Sequence, residues 1–132
     1  MRQALGRVHV IAAWLLVGGI ALQVFLAGIA LRNLGGTGDF GLHVEFGYTG
    51  VGLLSLAVVL SAVGARLSGR DTAMAFGLLV LYFVQTALPA LRTAVPVMAA
   101  LHPVNALLLF ALAVWYARRA QRHLASTAMR TP

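Results

Sequence analysis

The chain has no cysteine, no lysine and only three acidic residues, Asp39, Glu45 and Asp71, in 132 positions. Without thiols, disulfides, thiolate zinc sites, iron–sulfur clusters, cysteine nucleophiles and covalent c-type haem attachment are all excluded. Charged residues as a whole are scarce, at 10%, against 61% hydrophobic. A soluble domain of this size has too high a surface-to-volume ratio to hide so much apolar area. A mean hydropathy of +0.90 points to lipid as the solvent.

The basic residues are all arginine and give a net charge of +7. They sit at the ends of apolar runs, not along one face or interleaved with aromatics, which argues against nucleic acid as a partner. Arginine without lysine, beside abundant Ala, Leu and Gly, is the bias of a GC-rich bacterial genome. Arg2 and Arg7 precede the first run, as in a signal peptide. That run extends for about 24 residues, beyond a normal h-region, and reads as a retained span.

Four stretches are long enough to cross about 30 Å of hydrocarbon as helices: Val8–Leu31, Leu42–Ala65, Ala73–Leu91 and Val97–Ala117. Strict alternation is missing, so a β-barrel is not indicated. The connections are short: a glycine-rich loop over 33–41, a turn over 66–72 and a link over 92–96. Short links pack sequential helices antiparallel. The expected fold is all-α, a transmembrane four-helix up-down bundle in one domain, with hairpins over 8–65 and 73–117 and a basic tail over 118–132. Arg2, Arg7, Arg66, Arg70, Arg118, Arg119, Arg122 and Arg130 fall on one side, and only Arg32 and Arg92 on the other. The positive-inside rule then places both termini in the cytoplasm of a multi-pass protein of the bacterial inner membrane.

The two halves repeat. Gln23, then Ala30-Leu31-Arg32, then Leu42-His43 in the first half matches Gln85, then Ala90-Leu91-Arg92, then Leu101-His102 in the second. Gln to His spans 20 residues in one half and 17 in the other. Hairpins repeated in the same orientation are related by a pseudo-twofold axis along the membrane normal. Such an axis places His43 and His102 at matching depth, on the second and fourth spans.

Ionisable residues inside spans are rare and usually functional. Neutral imidazole is a common metal ligand and an axial ligand of haem iron. Two symmetry-related histidines suit the two faces of one macrocycle. On the same helical faces lie Gly47 and Gly50 after His43, and Asn105 and Ala106 after His102; small residues there let a porphyrin lie against the backbone. A zinc site would want further ligands, with Glu45 the obvious candidate. The plainer reading has both histidines hydrogen-bonded to backbone or water. Arg32 and Arg92, at equivalent places, either bind haem propionates bidentately or only snorkel and end a helix. Gln23 and Gln85 serve as interhelical glue or as pocket lining.

His9 and His123 lie toward the other side. They lack the pairing, 13 or 14 residues apart on each ligand helix, of two-haem cytochrome b bundles. Trp14, Trp115 and Tyr116 near one interface, and Phe40 and Tyr48 near the other, read as an aromatic belt. Tyr82 and Phe83 flank Gln85 and either touch a cofactor or pack in the core. Pro89 is expected to kink the third helix, and Pro103 to constrain His102.

The segment Leu101-His102-Pro103-Val104-Asn105-Ala106-Leu107-Leu108-Leu109-Phe110, with the Gln-to-His spacing, resembles an uncharacterised family of small four-helix bacterial membrane proteins. It also resembles one four-helix half of haem A synthase, where histidines near the outer ends of the second and fourth helices can ligate haem. The resemblance implies that His43 and His102 are axial ligands of haem b (iron protoporphyrin IX). The chain has one such unit, not two. The synthase's catalytic glutamate precedes its histidine, whereas Glu45 follows His43, so haem hydroxylation is not implied.

The leading expectation is a bis-histidine b-type cytochrome that transfers electrons near the outer face, not a stand-alone enzyme. Its partners would be the bilayer, a redox partner or respiratory complex and, given Gly18, Gly19 and Gly28, a second copy of the chain. The alternatives are a haem-metabolism enzyme or haem carrier, and a cofactor-free structural subunit of a membrane complex.

Overall fold

A computed structural model describes residues 2–128. Its helices are α1 (Arg2–Ala30), α2 (Gly41–Phe46), α3 (Gly52–Gly64), α4 (Gly69–Ala87), α5 (Pro96–Ala99) and α6 (Leu101–Ala128). One π turn, Gly47–Val51, joins α2 to α3, and a 3-10 segment, Leu88–Leu91, continues α4. Four helical stretches are long and apolar enough to cross a membrane: Gln3–Ala30, Gly41–Gly64, Gly69–Leu91 and Pro96–Ser126. The protein is an all-α, multi-pass membrane protein.

In the bundle α1 packs against α3 and α6, and α4 packs against α3 and α6. The four spans form a square with sequential neighbours adjacent and the first beside the fourth. The interior is built from small residues, Ala13, Ala62, Ala75, Ala113 and Ala117, around Leu16, Val58 and Leu109. Large apolar side chains point outward, as with Phe25 at 61% exposure, Leu60 at 62% and Leu107 at 70%. That inside-out distribution suits lipid, where spans associate through close backbone approach and large side chains gain nothing by turning inward.

The chain punctuates the spans with local chemistry. Ser68 caps α4, its hydroxyl accepting from the Asp71 amide at 3.2 Å, and Asp71 stands at the positive end of the helix dipole. The second span closes with paired reverse bonds, Leu67 N–H to Ala62 O and Arg66 N–H to Val63 O. Arg66 takes the left-handed conformation this cap requires, φ 51°. In the first loop Gly35 and Gly38 hold φ 81°, a region that favours residues without Cβ.

Several boundaries differ from the sequence expectation, with α4 beginning at Gly69 and not Ala73. α1 begins before Val8, and α6 runs to Ala128, because the segment after Ala117 is polar but contains no helix breaker. The greater part of the expected tail therefore extends the fourth helix. Its end, including Arg130, lies outside the described residues. Pro89 does not kink an α-helix; α4 stops at Ala87 and tightens into the 3-10 segment. Pro103 occupies the first turn of α6, where its missing N–H would have no helical partner anyway.

Candidate functional site

His43 sits in the first turn of α2 and His102 in the first turn of α6, at the end of the bundle opposite the termini. They come from diagonally opposed spans, yet their rings meet, with centroids 6.3 Å apart and planes at 75°. Phe40 packs its edge against the His43 ring at 6.1 Å.

Each histidine is oriented by the glutamine of its own repeat. His43 donates from Nδ1 to the Gln23 carbonyl oxygen at 3.0 Å, and His102 donates from Nδ1 to the Gln85 carbonyl oxygen at 3.0 Å. A carbonyl oxygen only accepts, so both Nδ1 atoms carry the proton, and the neutral ring keeps its lone pair on Nε2. Two imidazoles fixed in the same tautomer by backbone carbonyls have the second-shell arrangement of metal-binding histidines.

The glutamine side chains differ between the halves. Gln23 donates from Nε2 to the His43 carbonyl at 2.6 Å, and its buried Oε1 has no partner among the described residues. Gln85 instead holds its Nε2 at 3.2 Å from Nε2 of His102. Its Oε1 accepts from Asn105 Nδ2 at 2.8 Å, while Asn105 also donates to the Leu81 carbonyl at 3.1 Å. Asn105 thus fixes which way the Gln85 amide faces. Three residues after His43 the first half has Phe46, which cannot donate.

The π turn follows His43 directly. One extra residue per turn re-phases α2 against α3 and leaves a carbonyl short of its helical donor. Within this turn Tyr82 donates its hydroxyl to Tyr48 O at 3.0 Å. Gly52 makes room for this contact, since a Cβ there would stand 2.6 Å from the Tyr82 oxygen.

The remaining candidates fall around this pair in different ways. At Gly47 the space for a side chain is taken by the Gln23 amide, 2.6 Å from where a Cβ would stand. At Gly50 it is taken by the Phe46 ring. Ala106 is half-buried. Arg32 and Arg92 are exposed, and the Arg32 guanidinium lies over Gly38 in the glycine loop. Glu45 is exposed, and among the described residues no three His, Cys, Asp or Glu side chains cluster as a metal site.

A second polar centre lies at the other end and was not assembled by sequence reasoning. His9 is 1% exposed, with Nδ1 2.9 Å from the Ser61 hydroxyl and Nε2 3.1 Å from the Tyr116 hydroxyl. Tyr116 also lies 3.1 Å from the Asp71 carbonyl, and Arg119 donates from Nε to the Asp71 carboxylate at 2.6 Å. All four spans contribute. Tyr116 is therefore a buried cross-link, not a belt residue, because its hydroxyl has partners inside the bundle. Trp14 and Trp115 remain exposed. Nearby, Trp115, Arg119, Arg122, His123 and Ser126 line a cavity of about 330 Å³.

A family described as one of unknown function (DUF6220) matches residues 23–94, more than half of the chain. The match begins at Gln23, includes Arg32, His43, Gln85 and Arg92, and ends before His102. No curated protein matches the chain, and no solved structure does.

Proposed function

We propose that this chain, which belongs to the DUF6220 family of unknown function, is a haem b-binding membrane protein whose His43 and His102 ligate one iron from opposite faces of the macrocycle. The observation that carries this reading is the ring separation. A metal–nitrogen bond of about 2 Å on each side, plus about 1 Å from each nitrogen to its ring centre, places the centroids about 6 Å apart. The rings lie 6.3 Å apart before any ligand is considered. The donor set also fits: two neutral imidazoles, each with its proton held on Nδ1 by a carbonyl.

In this reading the Gln23 and Gln85 carbonyls aim the ligands. Arg32 and Arg92, at the same end of the bundle, supply guanidinium groups for the two propionates. Outward leucines and phenylalanines keep the bundle in lipid. Bound haem supplies a one-electron iron couple. Held by His43 and His102, it would favour electron transfer over oxygen chemistry. The arginine distribution supports an inner-membrane protein with cytoplasmic termini, and the histidine pair then lies toward the outer face. A redox partner, a respiratory complex or a second copy of the chain would meet it there.

The test is a reduced-minus-oxidised spectrum of the protein purified in detergent after haem-replete expression. A b-type α-band that disappears in the His43→Ala, His102→Ala double variant is expected. Its absence from the wild type would leave a cofactor-free structural subunit. A haem carrier or haem-metabolism enzyme is the second reading, favoured by the Gln85 amide that stands at the His102 ring nitrogen. Rapid transfer of haem to apomyoglobin would select it over a fixed electron carrier.

A further inference from the structure

We infer that the two histidines are unequal ligands, His43 the anchor and His102 the exchangeable one, because Asn105 locks the Gln85 amide onto the His102 ring nitrogen. The inference rests on the haem reading and goes beyond it.

The inequality arises from one position of the repeat. Three residues past each histidine, on the same helical face, stands Phe46 in the first half and Asn105 in the second. Asn105 is largely buried at 9% exposure and is tied to the backbone through Leu81 O. Its second bond, to Gln85 Oε1, leaves only the amide nitrogen of Gln85 to face the imidazole. The His102 lone pair is therefore already engaged by an N–H donor. A ligand at this nitrogen would have to displace the amide, which would remain close enough to reclaim it.

No such guard exists at His43. Phe46 offers no hydrogen, so Gln23 Oε1 is left unpaired, and its N–H goes to the His43 backbone carbonyl, not to the ring. A metal approaching His43 meets an imidazole whose proton is already on the far nitrogen and whose own glutamine does not compete. The two half-sites thus share a tautomer and differ in access.

Three measurements test this. His102→Ala is expected to retain haem, now five-coordinate and high-spin, whereas His43→Ala is expected to bind haem more than tenfold more weakly. Carbon monoxide added to the reduced wild type is expected to displace His102. Gln85→Leu removes the competing amide, so carbon monoxide affinity should fall about fivefold, the worth of one neutral hydrogen bond, with more six-coordinate low-spin species. Asn105→Leu should shift both readouts the same way but less. In haem-free protein, nitrogen NMR of the imidazoles should show Gln85→Leu moving Nε2 of His102 and leaving His43 unchanged. Equal haem loss in the two alanine variants, or carbon monoxide affinity unchanged in Gln85→Leu, overturns the inequality while a wild-type band keeps the cytochrome reading. A wild type without the band overturns both.

Discussion

Histidine occurs at both ends of the bundle, and the two ends use it in opposite ways. His9 is fully enclosed, and each ring nitrogen is within hydrogen-bond distance of a hydroxyl from another span, Ser61 on one side and Tyr116 on the other. Through Tyr116 and Asp71 it ties together all four spans. His43 and His102 are only half-buried, and each commits Nδ1 to a backbone carbonyl. Burial is therefore the wrong sign of chemistry here. The most buried histidine is saturated by neighbours and serves cohesion. The less buried pair keeps an acceptor nitrogen with no stronger partner than an amide.

Exchanging the consequences of mutation between the two ends would break this contrast. The largest expected effect comes from His9→Leu. It removes both ring bonds at once, leaving the Ser61 and Tyr116 hydroxyls only the Val58 and Asp71 carbonyls, and should cost about 1–3 kcal/mol, with a visibly lower unfolding temperature in detergent. In the haem reading, the b-type band at the other end should survive. In the haem reading, the His43→Ala, His102→Ala double variant should do the reverse, removing the band while costing, without haem, about 1 kcal/mol or less for each lost bond to a half-buried carbonyl. If His9→Leu removes the band at unchanged stability, the division of labour is wrong.

A smaller effect is expected from Tyr82→Phe, which takes the donor from the Tyr48 carbonyl at the π turn. The expected cost is about 1 kcal/mol, read as faster amide exchange confined to Gly47–Val51 and its flanks. Uniform exchange across the second span would show that the tyrosine does not pin the turn. The smallest belongs to Asp71→Asn. The Arg119–Asp71 pair is partly solvated, with side-chain exposures of 27% and 13%. Its loss should lower stability by about 1 kcal/mol or less, and the difference should shrink at high salt.

These contrasts were only partly visible in the sequence. The four spans and their order follow from hydropathy and short links, and the Gln–His repeat names the residues that the fold brings together. Hydropathy does not mark the span ends where helix continues without apolar residues, as in the residues after Ala117. Tyr116 looked interfacial because it ends an apolar run, although its hydroxyl is used inside. His9 carried no local signal, since its partners lie 52 and 107 residues away. The π turn has no period of its own in Gly-Tyr-Thr-Gly. Asn105 stood out as a small polar neighbour, but its role depends on which atom of Gln85 it meets, and composition does not encode that.

α6 is 28 residues long, about 42 Å at the usual helical rise, and exceeds a hydrocarbon layer of about 30 Å. Its C-terminal half carries Trp115, Arg118, Arg119 and Arg122, side chains that prefer the headgroup zone. The helix therefore acts as a float and a ruler at once: the indole and guanidinium groups set its height, and His102 rides about 20 Å above the indole. Adding or removing one turn between Trp115 and His102 would raise or sink the imidazole pair in the bilayer without touching any residue that surrounds it.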